Sequence, residues 1–364
     1  MKIVVCGNYG AQNLGDELIL EGLLETLKTA APRAEITVMS GDPAATTKIY
    51  NVQSVSKFPA GVRSFFSGSE ETIKAVKECD YFILGGGGLF NDLKIHASII
   101  WAIQARQALK YKKPLIIYGQ SIGPLSTISK FLIKSIFKKA AFIAVRDQDS
   151  AKELSKIGVH QKIFVTPDLA FRLPSSKPVV TQKKSPTIII ALRNLFGFPN
   201  DLIKEFGTFC NWLIEEQNCQ LEFIDFQQGV VGDYELHKTV IAHIQQKNKI
   251  KHFSAITDTK ELLAHFEQAD FVFGMRLHSI ICAIKACKPF IAISYSRKID
   301  SMIKDSGLEK YCLQHEKINN YLLQNLFISL KDSKIKFTEK LHHLNNENLK
   351  KHLKVEQKLK NFFS

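Results

Sequence analysis

The sequence predicts an α/β protein made of two halves, each a parallel sheet with helices on both faces. Two observations carry this. Short apolar strands alternate with glycine-rich turns and helical patterns along the chain. The stretch PSSKPVVTQKKSP (174–186), rich in proline, serine and lysine, interrupts that rhythm once, and the rhythm then restarts. At roughly 150 residues per domain, 364 residues also suit two domains.

The elements follow in order. KIVVC (2–6) is an unbroken apolar run of strand length, and LILEGLLETLKTA (18–30) has helical spacing. EITVMS (35–40) is a second strand, and DYFILGGGG (80–88) runs from a strand into four glycines. A helix is expected over 95–110, then the strand PLIIYG (114–119) and the strand FIAVRD (142–147) before the helical DSAKELSKIG. Asp147-Gln148-Asp149 reads most simply as the cap of that helix. After the break come the strand TIIIALR (187–193), a helix over 200–216, the strand LEFIDF (221–226), and helices near 234–247 and 259–267. DFVFG (270–274) and PFIAIS (289–294) are strands flanking the helical MRLHSIICAIKAC. The boundaries expected are a first domain over 1–175, a linker over 176–186, a second domain over 187–330 and a basic C-terminal helix over 331–364.

That last segment holds nine lysines against four acids, with Leu341, Leu344, Leu349, Leu353, Leu359 and Phe362 as a broad apolar stripe. It suits packing on another domain or peripheral contact with an anionic membrane surface. The whole chain carries a net charge of +14, which favours anionic partners without choosing among them. Aromatics do not interleave with the basic residues, so no nucleic-acid partner is expected. Seven scattered cysteines without a CxxC pair indicate neither a disulfide framework nor a zinc site, and suit a reducing cytoplasm. No apolar run approaches the roughly 20 residues that span a bilayer. HExxH, GxSxG, Walker and dinucleotide-binding patterns are absent, and no metal ligand set is expected.

Ligands of doubly wound sheets bind beyond the carboxyl ends of the strands, and four segments stand there. In GNYGAQNLGDE (7–17), Gly10, Asn13, Gly15, Asp16 and Glu17 suit a loop holding a sugar or an anion; the two acids equally suit a helix's first turn. In GGGGLFND (85–92), Gly86, Gly87 and Gly88 point to close backbone approach, and Asp92 is a candidate general base, hydroxyl ligand or cap. In GQSIGP (119–124), Gln120 and Ser121 offer neutral groups for sugar hydroxyls, or form a turn. In GMRLHS (274–279), Arg276 and His278 flank a helix start with Leu277 and Ser279. Arginine offers a planar fork for carboxylate or phosphate, histidine a proton near neutral pH, and the helix start its amides. Arg193 closes another strand of the same half, so two arginines at strand ends suggest a doubly anionic ligand.

These segments, with VRDQDSAKEL (145–154), TPDLAF (166–171), ALRN (191–194) and GMRLHSIICAI, resemble the polysaccharide pyruvyl transferase family in their order, from residue 3 to about residue 310. The resemblance implies a plan like that of GT-B glycosyltransferases: two Rossmann-like domains with the ligand cleft between them. It implies an enzyme that moves pyruvate from phosphoenolpyruvate to a sugar diol, giving a ketal and phosphate, with no cofactor required. The acceptor would be a glycan or lipid-linked sugar, and the location cytoplasmic or peripheral at the membrane's inner face. The family's donor-binding residues fall on Arg193, Arg276 and His278, with Leu277 contributing backbone. His278 would supply a proton, and Asp92 or Asp16 would accept one from the acceptor. The family often carries an Asp-Pro-Lys-like run after a tyrosine; here it reads Tyr295-Ser296-Arg297-Lys298, so Tyr295 and Lys298 remain candidates and the acid is missing. The alternatives are a glycosyltransferase using a nucleotide sugar and a non-catalytic glycan- or anion-binding protein.

Overall fold

In β1 (Lys2–Cys6), Ile3 and Val5 enter one core cluster and Val4 and Cys6 another. A strand sends successive side chains to opposite faces, so an unbroken apolar run needs cover on both sides. The computed structural model, which describes residues 1–58, 69–92, 97–174, 185–195, 199–229 and 232–364, supplies that cover. It divides into two compact units. The first comprises Met1–Ala11, Asp16–Leu173 and Asn348–Ser364, and the second Gln12–Gly15 and Pro174–Glu347.

The first unit's sheet runs in the order β3 (Gln53–Ser56), β2 (Glu35–Ser40), β1, β4 (Tyr81–Leu84), β6 (Leu115–Ile122), β7 (Phe142–Val145), β8 (Ile163–Val165), with β5 (Gly87–Phe90) beside β6. Its described pairings are parallel. The helices are α1 (Leu14–Ala30), α2 (Pro43–Tyr50), α3 (Glu70–Glu78), α4 (Ala97–Lys110), α5 (Thr127–Phe137) and α6 (Gln148–Lys156). Leu20, Leu23, Leu24 and Leu27 of α1 share a cluster with Ile3 and Val5; Trp101 and Ala105 of α4 and Ile133 and Phe137 of α5 share the other with Val4 and Cys6. Asp147 caps α6 as expected, accepting from Ser150 N at 2.7 Å.

The second unit repeats the plan with β9 (Thr187–Ala191), β10 (Gln220–Ile224), β11 (Ile250–Phe253), β12 (Phe271–Gly274), β13 (Phe290–Ser294) and β14 (Cys312–Gln314), in the order β11-β10-β9-β12-β13-β14, all parallel. Its helices are α7 (Asn200–Glu215), α8 (Tyr234–Ala242), α9 (Thr259–Gln268), α10 (Leu277–Lys285), α11 (Arg297–Asp305) and α12 (Asn320–Asp332), and α13 (Lys334–Phe363) follows. Phe206 and Phe209 of α7 meet Phe273 of β12 edge-on, and Trp212 meets Phe327 of α12 in the same way.

Two expectations change. GQSIGP is mostly strand, because β6 continues to Ile122. The glycine run is not simply a loop: Gly87 begins β5 and pairs with Gln120 at an irregular register, and its φ of 115° is a conformation that glycine adopts readily. The C-terminal segment forms the helix α13 and packs on a domain, one of the two roles that its pattern suits. Its residues from Asn348 onward belong to the first unit, where Val355 and Leu359 are buried, and Phe362 and Phe363 bring their rings to 5.8 and 4.9 Å from Tyr81. Arg172 ties Glu356 there at 2.7 Å. Of the expected stripe, Leu341 and Leu359 are buried, Leu344, Leu349 and Phe362 are half-buried and Leu353 is exposed, so part of the apolar side is spent on packing. Most of the expected linker, 176–184, lies outside the described residues. No disulfide joins the cysteines, and no helix among the described residues is long and apolar enough to cross a membrane.

Candidate active site

The strand order of the second unit reverses between β9 and β12, the crevice position where doubly wound sheets bind ligands. Arg193 lies just beyond β9, and Arg276 caps α10 just beyond β12. Both stand there because β9 and β12 are adjacent, with Gly274 paired to Ala191. Met275 N then bonds Ala191 O at 2.9 Å, and Arg193 N donates to Met275 Sδ at 3.4 Å.

The two arginines are held differently. The Arg193 guanidinium lies 4.6 Å from the centre of the Tyr295 ring and bonds its hydroxyl through Nη1. Arg276 turns one edge onto Asp233: Nε donates to Oδ2 at 3.0 Å and Nη2 to Oδ1. Asp233 is fully buried, and its carboxylate also accepts from the backbone N–H of Asn194, Phe226 and Gln227 at 3.2, 3.1 and 3.0 Å. One carboxylate therefore ties the loops after β9, β10 and β12 together. This revises the simple picture of Arg276 as a ligand clamp: half of its fork is already occupied, and the Nη1 edge is the part outside that pairing.

His278 and Ser279 lie in the first turn of α10, where Ser279 Oγ donates to Arg276 O at 2.6 Å. Leu277 opens that helix. The His278 ring packs on Gly15: a Cβ there would stand 2.2 Å from Nδ1, so no other residue fits without moving the ring. Asn13 carries Gly15 to this place. Its Oδ1 accepts from Gly15 N at 2.9 Å, and its Nδ2 donates to Gln227 Oε1 at 2.7 Å. Leu14 N bonds Phe226 O, and Gln228 N bonds Gln12 O. Thus Arg193, Arg276, Leu277, His278, Ser279, Tyr295, Asn13 and Gly15 all belong to the second unit. Lys298 is half-buried on α11.

The remaining candidates lie in the first unit. Glu17 is buried, accepting from Gly10 N at 2.8 Å and from the Tyr50 hydroxyl at 2.9 Å. Burial raises its carboxyl above the usual range, and those two donors oppose the rise. It braces the loop rather than facing a ligand. Asn8 Nδ2 donates to Asp16 Oδ2 at 2.7 Å, and Gly87 approaches Asp16. Gly86 and Gly88 flank the start of β5. Gln120 is fully buried and bonds Gly85 O, while Ser121 donates to the helix-capping Asp147 at 3.2 Å. Both side chains thus make protein contacts, which their position within β6 explains.

Asp92 is engaged by the start of α5. It accepts from Ser126 N, at the cap of α5, and from Ser129 Oγ at 3.0 Å. Burial pushes its pKa up, but the bonds from Ser126 and Ser129 outweigh it and hold the carboxyl below its ordinary value. A carboxylate so satisfied is a poor proton acceptor. It braces the start of α5, whose N-cap is Ser126.

Asp233 and the group Asp225, His237 and His252 escaped the sequence reading. Asp225 Oδ1 lies 2.5 Å from His237 Nδ1 and 2.8 Å from His252 Nε2. Leu192 N–H donates to His237 Nε2 at 3.0 Å, so the proton of this ring sits on Nδ1 and points at Asp225. With the His237 lone pair turned to the backbone, the trio does not present three ligands to one ion. Burial opposes charge on Asp225, but bonds from both histidines hold its pKa below the ordinary value. His237 thereby anchors the residue before Arg193. The polar run after LEFIDF was the signal at hand; its partners, set by the fold, were not.

Residues 13–297 match the family described as polysaccharide pyruvyl transferase. The amylovoran biosynthesis protein AmsJ of Erwinia amylovora is 25% identical over 365 residues, covering 85% of this chain and 86% of that protein. Among solved structures, a putative UDP-N-acetylglucosamine 2-epimerase from Listeria monocytogenes aligns with a TM-score of 0.64 at 11% identity, covering 94% of this chain and 90% of that one. A glycosyltransferase from Rickettsia africae aligns at 0.61 and 14%, covering 98% of both. At such identities these likenesses speak to the fold alone, and the fold is the GT-B-like pair of Rossmann-like units.

Proposed function

The chain belongs to the polysaccharide pyruvyl transferase family, and we propose that it transfers pyruvate from phosphoenolpyruvate to a sugar diol of a glycan or lipid-linked precursor. The observation that carries this reading is the set Arg193, Arg276 and His278 at the switch point of the second sheet. Phosphoenolpyruvate bears a carboxylate and a phosphate. Arg193 on Tyr295 and the Nη1 edge of Arg276 supply two cations, and the start of α10 adds its positive dipole end. Because Asp233 already orients Arg276, little reorganisation is needed as charge develops. The relationship to AmsJ supports placing the reaction in glycan biosynthesis.

In this mechanism His278 gives a proton to the donor's methylene carbon, making the second carbon electrophilic. One sugar hydroxyl attacks there and loses its proton to a general base. The bond from that carbon to the phosphate-bearing oxygen breaks, phosphate leaves, and the neighbouring hydroxyl closes the ketal. Two hydroxyl protons are released: one restores the proton delivered to carbon and the other leaves with phosphate. No water and no cofactor enters the balance.

The test is thermal stabilisation by phosphoenolpyruvate, alongside a panel of nucleotide sugars. Arg193→Ala is the better variant to compare, because Arg276 also holds the fold. At about a hundredfold excess over Kd, a ligand adds about 2.7 kcal/mol. Phosphoenolpyruvate should stabilise the wild type and lose its effect in the variant. Stabilisation by a nucleotide sugar and not by phosphoenolpyruvate would assign glycosyl transfer instead.

A further inference from the structure

The outward side of α5 places two large apolar side chains in water. Ile128 is 68% exposed and Phe131 74%. Three residues apart on a helix, they sit on the same side. The packing of α5 is met by other residues: Ser129, Ile133, Ile136 and Phe137 are buried, and Phe137 meets Phe90 at 5.4 Å. Ile128 and Phe131 are therefore not needed to hold the helix down.

Lysines lie along and just beyond the same helix. Lys130, Lys138 and Lys139 are exposed and Lys134 is half-buried. Lys130, Phe131 and Lys134 line a shallow groove with Glu153, Lys156 and Ile157 at the end of α6. Three lysines of that groove thus stand against its single acid, and the first turn of α5 has none.

We propose that this face of α5 docks on an anionic membrane. Ile128 and Phe131 would enter the boundary between headgroups and acyl chains, and the lysines would meet lipid phosphates. Apolar tips beside lysines are the pattern of interfacial helices. Protein interfaces are instead depleted of lysine, which is costly to desolvate and order. The basic C-terminal segment spends part of its apolar side on packing, with Leu341, Val355 and Leu359 buried, and its exposed Ile335 and Leu353 lie 18 positions apart rather than as a pair. Membrane docking goes beyond the proposed transfer reaction and is read without turnover.

The test is flotation of the full chain with vesicles of phosphatidylglycerol and phosphatidylcholine, and with phosphatidylcholine alone. The wild type should float with the anionic vesicles only, and less as salt rises. Ile128→Asp with Phe131→Asp should lower partitioning by about tenfold or more, as should Lys130→Glu with Lys134→Glu. Since the replaced side chains are exposed, unchanged melting temperatures would show that both variants fold. Absence of flotation with anionic vesicles, or flotation of the Ile128→Asp, Phe131→Asp variant equal to wild type, would overturn the proposal. A wild-type dimer that this variant converts to monomer, with no change in flotation, would assign the face to a second copy of the chain.

Discussion

Asp233 shows how much one buried acid can organise. Its carboxylate accepts from three backbone N–H groups in two loops and from the Arg276 side chain. Asp233→Ala leaves that guanidinium and those amides without their acceptor, and should destabilise the chain by about 3–5 kcal/mol in chemical denaturation. Gly15→Ala acts at the other side of the site. The added methyl collides with His278, so turnover in the proposed reaction should fall by about tenfold to a hundredfold, with most of the loss in kcat. Asp92→Asn separates the two roles weighed for that acid. As a brace of the start of α5 it should cost about 1 kcal/mol of stability with turnover almost unchanged, whereas a hundredfold loss of rate would restore it as the base.

At the scale of elements, α13 brings a titrating group into an apolar layer. His352 is buried beside Tyr118, and its pKa is lowered to about 4, first by burial and then by the Arg172 charge, with Asp168 opposing. The unfolded chain takes up this proton near pH 6.5, while the folded chain refuses it until about pH 4. Stability is therefore complete above the higher value and drains away as pH falls between the two, by roughly 3 kcal/mol. Melting temperatures measured across that window should drop in the wild type and drop less in His352→Leu. The strands were legible at this scale, because β1, β2, β9 and β12 are apolar runs whose length and turn signals leave little choice. The end of β6 was not, because Gly119-Gln120-Ser121 reads as a turn until a neighbouring strand takes up its backbone bonds.

For the whole molecule, the end of the chain is structural. Removing residues 348–364 takes Val355 and Leu359 from the first unit's core and leaves Arg172 without Glu356. Each of the two apolar losses costs about 1.5–3 kcal/mol, and the pair with Arg172 adds to that. The truncated chain should unfold well below the wild-type melting temperature or collect as insoluble protein. A merely accessory tail would leave the melting temperature where it was.

The order of strands and helices, the division into two α/β halves and the placing of Arg193, Arg276 and His278 beyond strand ends were written in the sequence. They depend on local pattern: apolar period, glycine at strand ends, and residues close together in the chain. Which polar groups satisfy one another depended on the tertiary structure. Arg276 meets Asp233 from 43 positions away, and Asp92 meets Ser129 from 37. A buried polar group must find a partner, but only the folded chain decides which of many is within reach. The same holds for α13, whose amphipathic pattern foretold a buried side and whose location decided what it buries against.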